Sequence, residues 1–134
     1  MNFFDVVVIG AGPGGYPAAI RAAQLGLHVA LVEKEALGGT CLNWGCIPTK
    51  TLIASAELYR QARDGAALGV DCSRVAFDYA RMVARKGEVV KRLTGGIAQL
   101  LKANGVEHLA GTARFEGPHR LSVRGAAGET QWIE

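Results

Sequence analysis

Two cysteines stand five positions apart in the segment Gly38-Gly39-Thr40-Cys41-Leu42-Asn43-Trp44-Gly45-Cys46-Ile47-Pro48-Thr49-Lys50. Thiols this close in sequence can form a redox disulfide, rest as unpaired core residues, or share a metal. In a regular helix, residues five apart have Cα atoms about 8–9 Å apart and side chains about 140° apart. That exceeds the roughly 7 Å reach of a disulfide. A bridge therefore needs a broken helix. Gly45 frees the backbone, and Pro48 has no N–H to give the Trp44 carbonyl. A thiol near the start of the following helix is expected to be acidified, with Lys50 adding positive charge. Zinc is disfavoured, because no second close pair of Cys or His follows. Two unpaired structural cysteines remain an alternative. Cys72 stands alone and reads as an ordinary surface or core residue.

A second chemistry-bearing pattern lies upstream. Gly10-Ala11-Gly12-Pro13-Gly14-Gly15 fits G-x-G-x-x-G, with Gly10, Gly12 and Gly15 at the required places. The first glycine makes a tight turn, the second lets backbone approach a pyrophosphate, and the third lets a helix pack close to its strand. The free N–H groups and positive end of that helix suit phosphate. Glu33 follows about 20 residues on, where a carboxylate accepts ribose hydroxyls and disfavours a 2′-phosphate. The competing reading is a glycine-rich turn with an exposed glutamate.

The elements around these residues must position them. Phe3 to Ile9 reads as a strand buried on both faces, as in a parallel sheet, and the glycine cluster ends it. Ala18, Ala19, Ala22, Ala23 and Leu25 give the next segment a helical pattern stopped by Gly26. His28 to Val32 reads as a second buried strand, completing a βαβ unit. Gly38 to Gly45 reads as a loop. A helix is expected from Pro48 to about Arg63, and a longer one from Phe77 to Asn104. In the longer one Thr94 interrupts the apolar spacing and Gly95-Gly96 weakens the middle. Val106 to Glu134 reads as a small antiparallel meander. The fold class is thus α/β, a Rossmann-like βαβ unit with a meander, and residues 1–134 stop as though part-way through an architecture.

Composition narrows the function classes. With 49% hydrophobic residues and 20% charged, the 134-residue chain has enough apolar surface for a core. A formal charge of +3 is too small to argue for nucleic acid. The 77–104 helix is basic, through Arg81, Arg85, Lys86, Lys91, Arg92 and Lys102, but no aromatic residues interleave with the charges. A solvated face is the favoured reading of it. No membrane span or leader is visible, so a cytoplasmic location is expected, where a close cysteine pair points to catalysis or metal rather than a structural staple.

Taken together, GAGPGGYPAAIRAAQLG, VALVEK and GGTCLNWGCIPTK resemble the class I pyridine nucleotide–disulfide oxidoreductases. The likeness is strong over residues 3 to about 52 and looser over Val106 to Phe115. It implies FAD as the dinucleotide, with Gly10, Gly12, Gly15, Glu33, Lys34, Gly39 and Thr40 along its adenosine and pyrophosphate. It also implies Lys50 near the isoalloxazine and backbone around Gly111 near the adenine. Cys41 would be the thiol that meets substrate, and Cys46 the thiol beside the flavin.

Leu42, Asn43 and Ile47 lean toward the branch that reoxidises dihydrolipoamide with NAD⁺ as co-substrate. That branch implies a homodimer and, as partner, the lipoyl domain of the acyltransferase subunit of a 2-oxoacid dehydrogenase complex. Members of the glutathione- and mercuric-reductase type are the alternatives within the family. Family members run to several hundred residues and carry NAD, central and dimerisation domains. Residues 1–134 are therefore expected to be the N-terminal part of the FAD-binding domain, inactive by themselves. The family's acid–base His has no counterpart at His28, His108 or His119. A nucleotide-binding module without catalysis is the alternative from outside the enzyme class.

Overall fold

The computed structural model describes residues 2–134. Three layers stack on one another: helices, a parallel sheet and an antiparallel sheet. The parallel sheet has the order β1-β2-β3 and the antiparallel sheet the order β4-β5-β6. The βαβ unit is β1 (Val6–Ile9), α1 (Gly15–Gln24) and β2 (Val29–Glu33). Val6 stands opposite Val29 and Ile9 opposite Val32 in parallel register. After it come α2 (Gly39–Asn43), α3 (Cys46–Arg63) and α4 (Tyr79–Ala103), then β3 (Glu107–Ala110), β4 (Thr112–Gly117), β5 (Arg120–Arg124) and β6 (Thr130–Ile133).

Strand β2 is the hinge of the packing. Val29 and Leu31 point to the helical layer, against Ala19 of α1 and Ile97 and Leu101 of α4. Ala30 and Val32 point the other way, against Leu109, Leu121, Val123 and Ile133. Both faces of β2 are covered, which is why its sequence is an unbroken apolar run rather than an alternating one. Its C-terminal residue, Glu33, is the first that can face solvent.

Helix α4 forms because Ile97 and Leu101, four apart, share one buried face. The Asp78 carboxylate caps it by accepting the Arg81 N–H at 3.1 Å. Thr94 does not interrupt it: its hydroxyl donates to the Val90 carbonyl at 3.0 Å. The Gly95-Gly96 pair lies inside a continuous helix. Gly105, with φ +70, ends the run, and the Val106 N–H turns back to the Leu101 carbonyl at 3.0 Å.

Three expectations about β1, the 38–45 segment and β3 need correction. Strand β1 begins at Val6, not Phe3, and is half-buried with Ile9 exposed. Before it, the Asp5 carboxylate accepts the His28 N–H at 2.7 Å, and the Phe4 N–H donates to Glu134. As an edge strand, β1 lacks the second neighbour that covers β2. The 38–45 segment is not wholly a loop, because α2 makes one helical turn of five residues, too short to leave a periodicity in the sequence. Finally, β3 belongs to the parallel sheet, with Leu31 opposite His108 and Glu33 opposite Ala110. Only β4 to β6 form the antiparallel meander.

Candidate active site

The glycine loop leaves β1 at Gly10, which has φ +98, and its N–H donates to the Val32 carbonyl at 2.7 Å. Gly15 opens α1 with its Cα against the Gly10 carbonyl, where any Cβ would collide. Helix and strand can therefore approach this closely only through glycine. Gly12 differs. A Cβ there would touch nothing in the protein, and the residue lines a groove of about 580 Å³. Packing does not demand this glycine, so the missing side chain keeps the groove wall bare for a ligand. Gly39 closes against it, where a Cβ would come within 2.9 Å of the Gly12 Cα. The Gly38 N–H donates to the Ala11 carbonyl at 2.8 Å, fixing α2 onto the loop.

Glu33 stands at the lip of the same groove. Its Oε2 accepts the Ala11 N–H at 2.8 Å and its Oε1 accepts the Glu35 N–H at 2.8 Å. Burial alone would push this carboxyl up. The N–H groups of Ala11, Glu35 and Lys34, helped by the nearby charge of His108, outweigh that and hold it below the usual range. The carboxylate is thus pre-formed at the end of β2, facing a second cavity of about 580 Å³ that adjoins the first. Gly111, Lys34 and His108 line that second cavity. The Gly111 N–H donates to the Glu33 carbonyl at 2.8 Å, and a Cβ at Gly111 would strike the Arg124 carbonyl.

At the other end of the groove lie the sulfurs. Cys41 is in α2 and half-buried; Cys46 is the first residue of α3 and exposed. Between them the chain breaks at Gly45, with φ −120 and ψ −105. The break is two residues after α2 ends, and Pro48 falls in the first turn of α3, where no N–H is required. Helix α3 therefore starts two residues earlier than its proline suggested. Asn43 clamps α2 by donating from Nδ2 to the carbonyls of Leu37 at 3.0 Å and Gly39 at 2.9 Å. The two cysteines are unbridged in the structure, and they lie close enough across the break for Cys46 to act on the Cys41 thiol. Donation to the Cys46 sulfur raises the Cys41 pKa, with desolvation and the proximity of a second thiolate adding to it. The Cys46 N–H and the Lys50 charge oppose this without reversing it.

Gly12, Glu33, Lys34, Gly39, Thr40, Cys41 and Cys46 thus share one groove. Lys50 does not line it. It borders a cleft between α3 and α4 with Arg85 and Arg92, and its charge is felt at Cys41. Cys72 is exposed and does not line the groove. Asn43 as a clamp, Trp44 as a groove wall and His108 as a neighbour of Glu33 had no signal in residue type or spacing. All three depend on contacts between elements distant in sequence or on a single turn.

The arrangement joins a dinucleotide-type glycine loop and ribose-type carboxylate to a vicinal thiol pair. The family model for pyridine nucleotide-disulphide oxidoreductases matches residues 4–132. The chain belongs to this family. Dihydrolipoyl dehydrogenase of Zymomonas mobilis is 48% identical over 133 residues, covering 99% of this chain and 28% of the relative. Dihydrolipoyl dehydrogenase of Halobacterium salinarum is 53% identical over 119 residues, covering 89% of the chain and 25% of the relative. The solved copper(II) complex of the HOCl-induced flavoprotein disulfide reductase RclA from Escherichia coli superposes with a TM-score of 0.81 at 32% identity, over 100% of this chain and 27% of that one. The chain spans about a quarter of the length of these members of the family. Among the described residues, no helix is long and apolar enough to cross a membrane.

Proposed function

We propose that residues 1–134 are the dinucleotide- and dithiol-bearing part of a dihydrolipoyl dehydrogenase, which oxidises dihydrolipoyl groups to the cyclic disulfide with NAD⁺ as final acceptor. The observation that carries this reading is the single groove running from Gly12 and Glu33 to Cys41 and Cys46. FAD is the dinucleotide assigned to it. The bare wall at Gly12 and the pre-formed Glu33 carboxylate fit a pyrophosphate and a ribose respectively. Gly10 and Gly15 shape the loop from behind; Gly39 and Thr40 would hold the phosphates, and Lys34 and Gly111 would hold the adenosine half. When bound, FAD supplies a two-electron acceptor beside the sulfur pair.

The cysteines do the exchange. In the oxidised state they are bridged, and a substrate thiolate attacks Cys41 Sγ. The Cys41–Cys46 bond breaks, and Cys46 leaves as a thiolate. The second substrate thiolate then attacks the substrate sulfur of the mixed disulfide, closing the substrate's own ring and releasing Cys41. The substrate has lost two electrons and two protons; the protein pair has gained both electrons, one proton goes to Cys41 and the other to solvent. Cys41 holds a proton in the product state, in keeping with its raised pKa beside Cys46. Lys50 favours the thiolate by its field, and Asn43 holds α2 so that the two sulfurs stay within reach. The NAD⁺ site and the surfaces for a homodimer and for a lipoyl domain are assigned to segments outside residues 1–134.

Mass spectrometry after alkylation tests the exchange. The oxidised chain should be protected at Cys41 and Cys46 but not at Cys72, and dihydrolipoamide should open the bridge. Cys46→Ser, given an oxidised lipoamide, should accumulate a mixed disulfide on Cys41. A bridge that never forms, or adducts spread equally over Cys72, would overturn the reading.

A further inference from the structure

Trp44 is the residue of the groove that neither the glycine loop nor the sulfur exchange explains. Its side chain is 60% exposed, and it lines the groove beside Gly12, Glu33, Thr40 and Cys46. Leaving that much indole in water forfeits burial that an aromatic side chain ordinarily gains. The exposure is not the looseness of a mobile tip. The Trp44 N–H donates to the Thr40 carbonyl at 2.9 Å, and the preceding residue, Asn43, is tied to Leu37 and Gly39. On the other side, a Cβ at Gly45 would already stand 3.1 Å from the Thr40 carbonyl. The ring is therefore carried on a braced backbone into an open cavity.

The chain's other tryptophan provides a contrast. Trp132, on β6, has the Arg120 guanidinium over its ring at 4.7 Å, and it borders no part of the groove. Among the described residues no ring or cation stacks on Trp44, and its Nε1–H has no acceptor. A braced, unpartnered aromatic ring in a cavity already lined by phosphate- and ribose-type groups is a wall waiting for a planar or extended ligand.

We propose that the Trp44 indole is a ligand-contacting wall of the dinucleotide groove, packing on the bound dinucleotide between its pyrophosphate and the sulfur pair. It would add affinity and exclude water from the groove next to Cys46. This rests on the reading of the groove as a dinucleotide site, and the test separates the two.

The chain has two tryptophans, so a ¹H–¹⁵N spectrum carries two indole signals, assigned with Trp44→Phe. On addition of FAD the Trp44 indole signal should shift while that of Trp132 stays in place. Trp44→Ala should weaken FAD binding about three- to tenfold, and Trp44→Phe should restore most of it. A Trp44 signal that stays still while the Gly12 and Gly14 amides shift would overturn this inference and leave the dinucleotide reading standing. If no amide of the loop responds to FAD at all, both fall. The wild-type spectrum decides the question even if Trp44→Ala fails to fold.

Discussion

The two ends of the groove are built by opposite means. At the glycine-loop end the decisive atoms are backbone: Gly15 against the Gly10 carbonyl, Gly39 against Gly12, and N–H groups converging on one carboxylate. At the sulfur end they are side chains, Cys41, Trp44 and Cys46, set around a break at Gly45. The difference assigns distinct vulnerabilities. The first end tolerates no added atoms, because its shape is its function. The second tolerates small changes in structure but none in sulfur chemistry.

The largest expected effect comes from adding atoms at the first end. Gly15→Val places a branched side chain onto the Gly10 carbonyl and should cost about 3 kcal/mol or more, read as a lower urea midpoint. Gly12→Ala, with open space around its Cβ, should leave stability within about 0.5 kcal/mol and yet weaken FAD binding. Equal destabilisation by both would break the distinction between packing and binding glycines.

Next comes Glu33. Glu33→Ala leaves the Ala11 N–H without its acceptor in a fully buried residue and should cost about 1–3 kcal/mol. The carboxyl's folded pKa lies below its ordinary value of 4.5. Its contribution is therefore present above the unfolded value and is lost as pH falls through the folded one. Wild type and Glu33→Gln should differ most near neutrality and converge in acid, measured as urea midpoints against pH. A gap that widens in acid would reverse the sign.

At the second end, Cys46→Ser should change stability by no more than about 0.5 kcal/mol, since the residue is exposed, while abolishing the internal bridge. The smallest effect is on Cys41 alone. Its alkylation rate should rise only at pH above the ordinary thiol value of 9.0. Cys46→Ala should bring that rise to lower pH by removing the sulfur that accepts from it. An unchanged profile would mean the two thiols do not interact.

How much of this was legible in the sequence follows the same division. The glycine loop, Glu33 and the cysteine pair could be read because each depends on residue type at fixed local spacing. Strand β2 was legible because burial on both faces leaves an apolar run. The edge position of β1 was not, since Phe3 to Ile9 is as apolar as β2 and only the sheet order separates them. The single turn of α2 left no periodicity, and β3 looked like part of the meander because four residues cannot declare their partner. The raised pKa of Cys41 depends on how α2 and α3 meet at Gly45. No local pattern encodes that angle.

The central claim is that the sulfur pair and the dinucleotide occupy one groove in redox contact. It is tested most directly by loading the chain with FAD, adding dihydrolipoamide and recording the visible spectrum. The expected result is a long-wavelength absorption that appears on reduction of the pair and is absent from Cys46→Ser. Retained FAD with no such absorption in the wild type, or the same absorption in Cys46→Ser, would contradict it.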